Sequence, residues 1–313
     1  MLNSIKALPL RARPAALASA CGLAWALCAA SGAHAATVNF AYTGALQQFT
    51  VPAGVTLIKI TASGAQGGTV TGNGGPFPGG LGATMAGEFT VTPGSVLQLV
   101  VGGQGNPDVS SSGGGGGSGV NQGGVALIVA GGGGGIDFQQ PDYAGRHATT
   151  ATTGVPGNSG GAGGTAGADG NDTIYSGSNI SRGGRGWNAG NTGSLGQSGV
   201  SSNTTFTAGT WGLGGGGGSV GYGWCNCGGG GGGYSGGGSG GINASGGGGG
   251  SINTGTNQVN LAGDHAGNGV IVLEYEAQVV ATPVPLFSWW ALVALSPLLV
   301  GGGAWNLRRQ RRA

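Results

Sequence analysis

The sequence predicts a mainly β protein: an antiparallel sandwich into which a bundle of extended glycine helices is inserted. Three observations carry that prediction. Seven short apolar or β-branched segments are separated by turn residues. No stretch of the body keeps a sustained helical period. Glycine supplies 80 of 313 residues, far above the average of about 7%, and much of it falls in uninterrupted runs.

The segments follow in order. Thr37–Tyr42 and Leu46–Val51 are short and strand-like, and Pro52-Ala53-Gly54 is a turn signal. Val55–Thr61 alternates in the manner of a half-buried strand. Ala83–Val91, Pro93-Gly94 and Ser95–Val101 read as a hairpin with a tight turn. Val125–Ala130 is a continuous apolar run bounded by glycines, as in a strand buried on both faces. Gly269–Glu276 is the last strand. Between them, residues 101–250 contain 58 glycines, with runs at Gly113–Gly117, Gly131–Gly135, Gly214–Gly218, Gly228–Gly233 and Gly246–Gly250. A three-fold extended helix has no internal hydrogen bonds. Without Cβ atoms, such helices approach closely enough to pair their N–H and C=O groups with one another, which lets the backbone be buried. The runs are uniform in length and are interrupted by Tyr234, Trp211 and Trp224 rather than by charges, and a strand returns after them. These features favour packing over a flexible Gly/Ser linker, the alternative reading. Trp187, Trp211, Trp224, Tyr222 and Tyr234 serve either as projecting contacts or as mortar between glycine helices.

Composition excludes several classes. The glycines keep no strict Gly-X-Y period over the chain and there are 12 prolines, which excludes a collagen triple helix. Charged residues are 6% of the chain, unlike solvated disorder. Between Ala36 and Thr282 four basic residues (Lys59, Arg146, Arg182, Arg185) face nine acidic ones, a net of about −5 that argues against nucleic acid.

The ends read as addresses. Residues 1–35 have a basic start (Lys6, Arg11, Arg13), an apolar run from Pro14 to Ala30, and Ala33-His34-Ala35 before Ala36, the pattern of a signal peptide cleaved to leave Ala36 first. Residues 36–276 form the body, with the glycine insertion at about 102–265. Residues 277–285 are a linker, 286–307 a transmembrane helix of hydrocarbon-core length, and 308–313 a cytoplasmic tail bearing Arg308, Arg309, Arg311 and Arg312.

Two resemblances follow from these residues. Val284-Pro285-Leu286-Phe287-Ser288-Trp289-Trp290, the apolar span and the arginine cluster resemble the IPTL-CTERM sorting tail of Gram-negative bacteria, which is related to the PEP-CTERM tails. Val284, Pro285, Ser288 and Trp290 fall on its motif, whereas Leu286 and Phe287 depart from it. The signal segment implies passage through the Sec translocon and signal peptidase. The resemblance of the tail implies a periplasmic body held at the inner membrane, handled by an exosortase-like system and released to the surface; a permanent membrane anchor without sorting is the alternative. In the body, Phe49–Val55, Ile60–Gly68, Val125–Gly135, Gly228–Gly237, Gly246–Ser251 and Gly269–Ile271 come in an order similar to the glycine-rich domain of bacterial exported proteins. That order also resembles the glycine-rich extracellular region of anaplastic lymphoma kinase and leukocyte tyrosine kinase. This second resemblance implies a jelly-roll-like sandwich carrying polyglycine II-type helices.

Candidate chemistry is thin. His147 and His265 read as solvated loop residues, no nucleophile elbow stands on a strand-to-helix turn, and no P-loop lysine is present. No catalytic or cofactor-binding residue is therefore expected. Cys225 and Cys227, the only cysteines of the body, read as a local disulfide staple in an oxidising compartment, with free or intermolecular thiols and a metal site as alternatives. Gly167–Tyr175 resembles the calcium-binding nonapeptide of RTX proteins, and on that resemblance Asp172 is the Ca²⁺ ligand and Ile174 faces the core; the repeat occurs once and residues 158–166 carry no carboxylate, which favours a turn-rich loop without metal. The expected role is structural or adhesive, contacting extracellular matrix, polysaccharide or other surfaces. A receptor-type or calcium-dependent recognition module is the alternative, followed by a secreted hydrolase.

Overall fold

In a computed structural model, residues 34–72, 74–176, 179–188, 213–216, 219–221 and 225–277 are described. The expectations for the signal segment up to Ala33, the sorting motif, the membrane helix and the arginine tail lie outside these residues. So do those for Trp211, Tyr222 and Trp224. No helix among the described residues is long and apolar enough to cross a membrane.

The chain is mainly β. Its strands are β1 (His34–Ala41), β2 (Gln47–Thr50), β3 (Leu57–Ser63), β4 (Gly82–Thr90), β5 (Val96–Val100), β6 (Ser118–Gln122) and β7 (Val125–Ala130). They continue with β8 (Thr173–Ser176), β9 (Asn179–Ser181), β10 (Ser219–Gly221), β11 (Cys225–Cys227), β12 (Ile252–Asn253), β13 (Thr256–His265) and β14 (Val270–Ala277). Two five-stranded antiparallel sheets, in the orders β1-β14-β3-β4-β13 and β12-β7-β6-β5-β2, form a sandwich-like pair. Alternation along the strands turns Ile58, Ile60, Met85, Leu97, Leu99, Val120, Ile128, Ile271 and Leu273 into one buried core. All seven strands anticipated from the sequence are present.

The expected β4–β5 hairpin is not formed. β4 and β5 belong to different sheets, so the Pro93-Gly94 turn carries the chain across the sandwich. The tight hairpin is β6–β7, whose two-residue loop, Gly123-Gly124, has φ of 59° and 86°. Positive φ at both loop positions is what a right-twisted hairpin requires. β6 and β8 to β13 were not anticipated; β6 lies inside the stretch assigned to the glycine insertion and β13 closes it.

The glycine segments hydrogen-bond to one another by a simple rule, seen best at Gly228–Tyr234. The N–H groups of Gly228, Gly231 and Tyr234 go to the carbonyls of Ala244, Gly247 and Gly250. Those of Gly229 and Gly232 go to Ser112 and Gly115, and those of Gly230 and Gly233 to Arg182 and Arg185. Each neighbour is met again three residues later. The carbonyls of the same run accept from Gly237 and Gly240, from Gly132 and Gly135, and from Gly216. Six segments thus surround this one, at N···O distances of 2.7–3.1 Å. A Cβ on Gly231 would sit 2.1 Å from the Gly132 oxygen, and one on Gly114 would sit 2.0 Å from that of Gly230. No side chain fits between segments this close.

At the periphery the requirement relaxes. Gly161, Gly164, Gly167 and Gly170 are buried, whereas Ala162, Thr165, Ala168 and Asn171 are exposed. Only one side of this segment faces neighbours, so glycine is needed at every third position, and a local triplet period appears that the whole chain lacks.

The sandwich has two distinct ends. In the first sheet His34 pairs with Ala277 at one end. Ser63, Gly82 and Val270, where the glycine segments attach, lie at the other. The chain therefore enters and leaves the body side by side, roughly 25 Å of strand away from the glycine bundle.

Candidate functional site

Polar side chains in the bundle gather on the glycine segments themselves. Asp169 and Asp172 stand three residues apart, as do Arg182 and Arg185. Arg185 Nη1 donates to Asp169 Oδ2 at 2.6 Å and the Gly186 N–H donates to Asp169 Oδ1 at 2.8 Å. Arg182 Nη1 donates to Asp172 Oδ2 at 2.7 Å and the Gly183 N–H donates to Asp172 Oδ1 at 2.9 Å. The two clamps are the same: each carboxylate takes one guanidinium and the N–H of the residue after that arginine. The three-residue spacing is the repeat of the glycine segments, so both rungs stand on matching faces. Four of the thirteen charges between Ala36 and Thr282 are thus spent on internal pairing.

This arrangement engages Asp172, the residue that the nonapeptide resemblance makes a calcium ligand, within the protein. Both Asp172 oxygens are engaged by protein donors, and a cation sits beside the carboxylate already, in the form of Arg182. Ile174, expected in the core, is 68% exposed. Among the described residues no group of three or more His, Cys, Asp or Glu gathers to hold a metal.

A second recurrent device is the serine at a run's end. Ser118 Oγ accepts from the Gly102 N–H and donates to the Ser63 carbonyl. Ser251 Oγ accepts from the Gly131 N–H at 3.0 Å and donates to the Thr149 carbonyl at 2.6 Å. Ser112, Ser235 and Ser245 do the same with Ile136 and Gly68, Gly167 and Thr152, and Asp137 and Gln140. A hydroxyl is donor and acceptor at once, so one serine reconnects two backbone groups where the regular pairing stops. Two five-glycine runs are bracketed on both sides, Ser112–Ser118 and Ser245–Ser251, as is the three-glycine run within Ser235–Ser239. That signal is legible in the sequence and was missed by the reading above.

The histidines are not simply solvated. His147 is half-buried, and its Nδ1 accepts the Leu81 N–H at 3.0 Å, which leaves the proton of the neutral ring on Nε2. Burial, then the adjacent Arg146, holds its pKa below the ordinary histidine value. His265 closes β13, with Nε2 2.8 Å from the Asn268 carbonyl oxygen. Asp137 is fully buried; Oδ1 accepts the Gln139 N–H, and Oδ2 has no hydrogen-bond partner among the described residues. Burial raises its pKa to about 6, opposed by that one hydrogen bond.

The remaining expected residues fall as follows. Cys227 is buried and disulfide-bonded, while the side chain of Cys225 lies outside the described residues. Ala35 and Ala36 lie within β1, opposite Glu276 and Tyr275, so the expected cleavage junction falls inside that strand. Trp187 and Tyr234 pack against a small second core of Val100, Ala126, Val129 and Leu213, which is the mortar role.

No protein-family model matches this chain. A comparison with curated proteins likewise finds no match.

Proposed function

We propose that this chain is an exported, surface-directed structural or adhesive protein. Its body is a jelly-roll-like sandwich bearing a bundle of polyglycine II-type helices. It is sorted through its C-terminal membrane tail and makes contact with extracellular matrix, polysaccharide or other surfaces. The observation that carries this reading is the three-residue rotation of hydrogen-bond partners around Gly228–Tyr234. That rotation is the symmetry of a three-fold extended helix. A segment bonded to six neighbours is a building material: it fixes a rigid body without side chains and leaves the exposed positions to short neutral groups. Those positions include Thr152, Thr153, Ser159, Thr165 and Asn171, hydroxyls and amides suited to hydrogen-bonding sugars or hydrated matrix. The side-by-side exit of His34 and Ala277 supports a body held from one end with its glycine bundle presented outward.

The test is fractionation of a Gram-negative host making the full chain, with mass analysis of the recovered protein. The expected result is a body beginning at Ala36 in the surface or matrix fraction and lacking the Arg308–Ala313 peptide. A chain truncated before Leu286 is expected in the soluble periplasm. Recovery of the uncleaved chain from the cytoplasm would overturn the proposal. An intact Arg308–Ala313 peptide at the surface would overturn its sorting step.

A further inference from the structure

The expected signal-peptidase junction and the first strand occupy the same residues. β1 begins at His34, and the junction follows Ala35, the second residue of the strand. Ala35 is paired with Glu276 and Ala36 with Tyr275. These two uses of the segment exclude each other. A protease takes its substrate as an extended strand into its own cleft, so the residues around the bond must first leave their sheet. A junction zipped onto β14 is a poor substrate, and an unpaired one is a good substrate.

The topology decides which state comes first. Among the described residues β1 is an edge strand whose one sheet partner is β14, the last strand of the body. The far half of β1 has other contacts: Val38 and Phe40 pack on the core, and the rings of Phe40 and Phe49 meet edge-on at 6.4 Å. The near half is placed by its pairs, His34 with Ala277, Ala35 with Glu276, Ala36 with Tyr275 and Thr37 with Glu274. Pairing of β14 with β3 stops at Glu274, so Tyr275, Glu276 and Ala277 serve β1 alone. Because His34 and Ala277 stand opposite each other, a chain tethered at both ends to one membrane can still close this ladder.

We propose that the β1–β14 ladder times the processing of this chain: the junction is open to signal peptidase until β14 arrives, and is shielded once the ladder closes. The inference rests on the reading above, in which the chain is exported and cut before Ala36. An exported chain delivers β1 first and β14 last. The junction therefore stands unpaired while the rest of the body crosses the membrane. Alanine is a weak strand former, so Ala35 and Ala36 hold no strand of their own in that interval. Cleavage then leaves six β1–β14 pairs, from Ala36–Tyr275 to Ala41–Val270. A chain that closes the ladder first keeps its leader and is cut slowly.

The experiment is a time course of cleavage by purified bacterial signal peptidase on the full uncleaved chain, made in a cell-free system and folded in mild detergent. Three substrates are compared: the folded wild type, the same chain diluted from urea directly into the peptidase, and a folded E276P/A277P variant. Successive N–H groups of a strand point to opposite sides, so one of the two prolines removes a donor towards β1. Both substitutions lie beyond the last β3 pair, and equal melting temperatures serve as the folding check. The chain diluted from urea carries no substitution and keeps the test decisive if the variant is unstable. The expected result is cleavage before Ala36, read by mass, at least about tenfold slower in the folded wild type than in the other two. Equal rates in all three, or a folded variant as slow as the folded wild type, would overturn the timing role and leave the exported reading standing. No cleavage before Ala36 in any substrate would overturn that reading and the proposal with it.

Discussion

The sandwich and the glycine bundle meet at one end of the same body, yet they are held together by opposite means. In the sandwich, strands pair by backbone, and uniqueness comes from side chains such as Ile60, Leu99 and Leu273 filling the space between sheets. In the bundle the space between segments is too small for a Cβ, and the backbone groups themselves are the packing. The difference teaches where each region is vulnerable. A sandwich loses stability when a side chain is removed, and a glycine bundle loses it when one is added.

Substitution at the centre of the bundle is expected to have the largest effect. Gly231→Ala places a methyl 2.1 Å from the Gly132 oxygen, against backbone that cannot turn aside. A loss of about 4 kcal/mol or more, or failure to fold, is expected in denaturant unfolding. A change below about 1 kcal/mol would mean that the segments are not fixed at this spacing. In the sandwich the opposite change is expected to matter: Leu99→Ala, at a fully buried site, should cost about 3 kcal/mol through lost burial and a cavity.

Ser251→Ala sharpens the comparison, because it touches the seam where regular pairing ends. It orphans the Gly131 N–H and the Thr149 carbonyl, and about 1–3 kcal/mol should be lost in the same measurement. The pH dependence of stability tests Asp137. Its folded pKa is raised, so its contribution is fully present below the unfolded value of 3.8 and is lost as pH rises through about 6. Asp137→Asn should flatten the profile between those values and stabilise the neutral-pH protein by roughly 1–3 kcal/mol. Smallest is the clamp. Asp172→Asn should cost about 1 kcal/mol or less, since Arg182 is 36% and Asp172 28% exposed. Added calcium should leave the melting temperature of the wild type unchanged; a clear rise would return Asp172 to a metal.

The comparison also explains what was legible in the sequence. The seven strands read there carry apolar or β-branched patterns, and each is found. Strand identity did not reveal sheet membership: Pro93-Gly94 fits a hairpin turn as well as it fits the crossover that β4 and β5 make. β6 was hidden because its buried positions include Ser118, Gly119 and Asn121, which carry no apolar signal. β13 was hidden for the reverse reason, because Thr256–His265 is polar and exposed and resembles a loop. Glycine runs indicate close approach but not partners. The partners are written in the exceptions: serines bracketing the runs, Asp169 with Asp172 and Arg182 with Arg185 at triplet spacing, and the triplet glycines of residues 161–170. The partner of Asp172 was not legible because one segment was read alone, whereas Arg182 arrives from another.

The place of β14 gives the molecule a preferred handle. β14 lies between β1 and β3, matched to the first over eight residue pairs and to the second over five. A load applied at Ala277 must slide β14 past both neighbours at once, in shear. One applied at the start of β1 works against a single ladder. Single-molecule pulling should therefore find the C-terminal end the harder to tear loose, so that the body yields last where its tail begins.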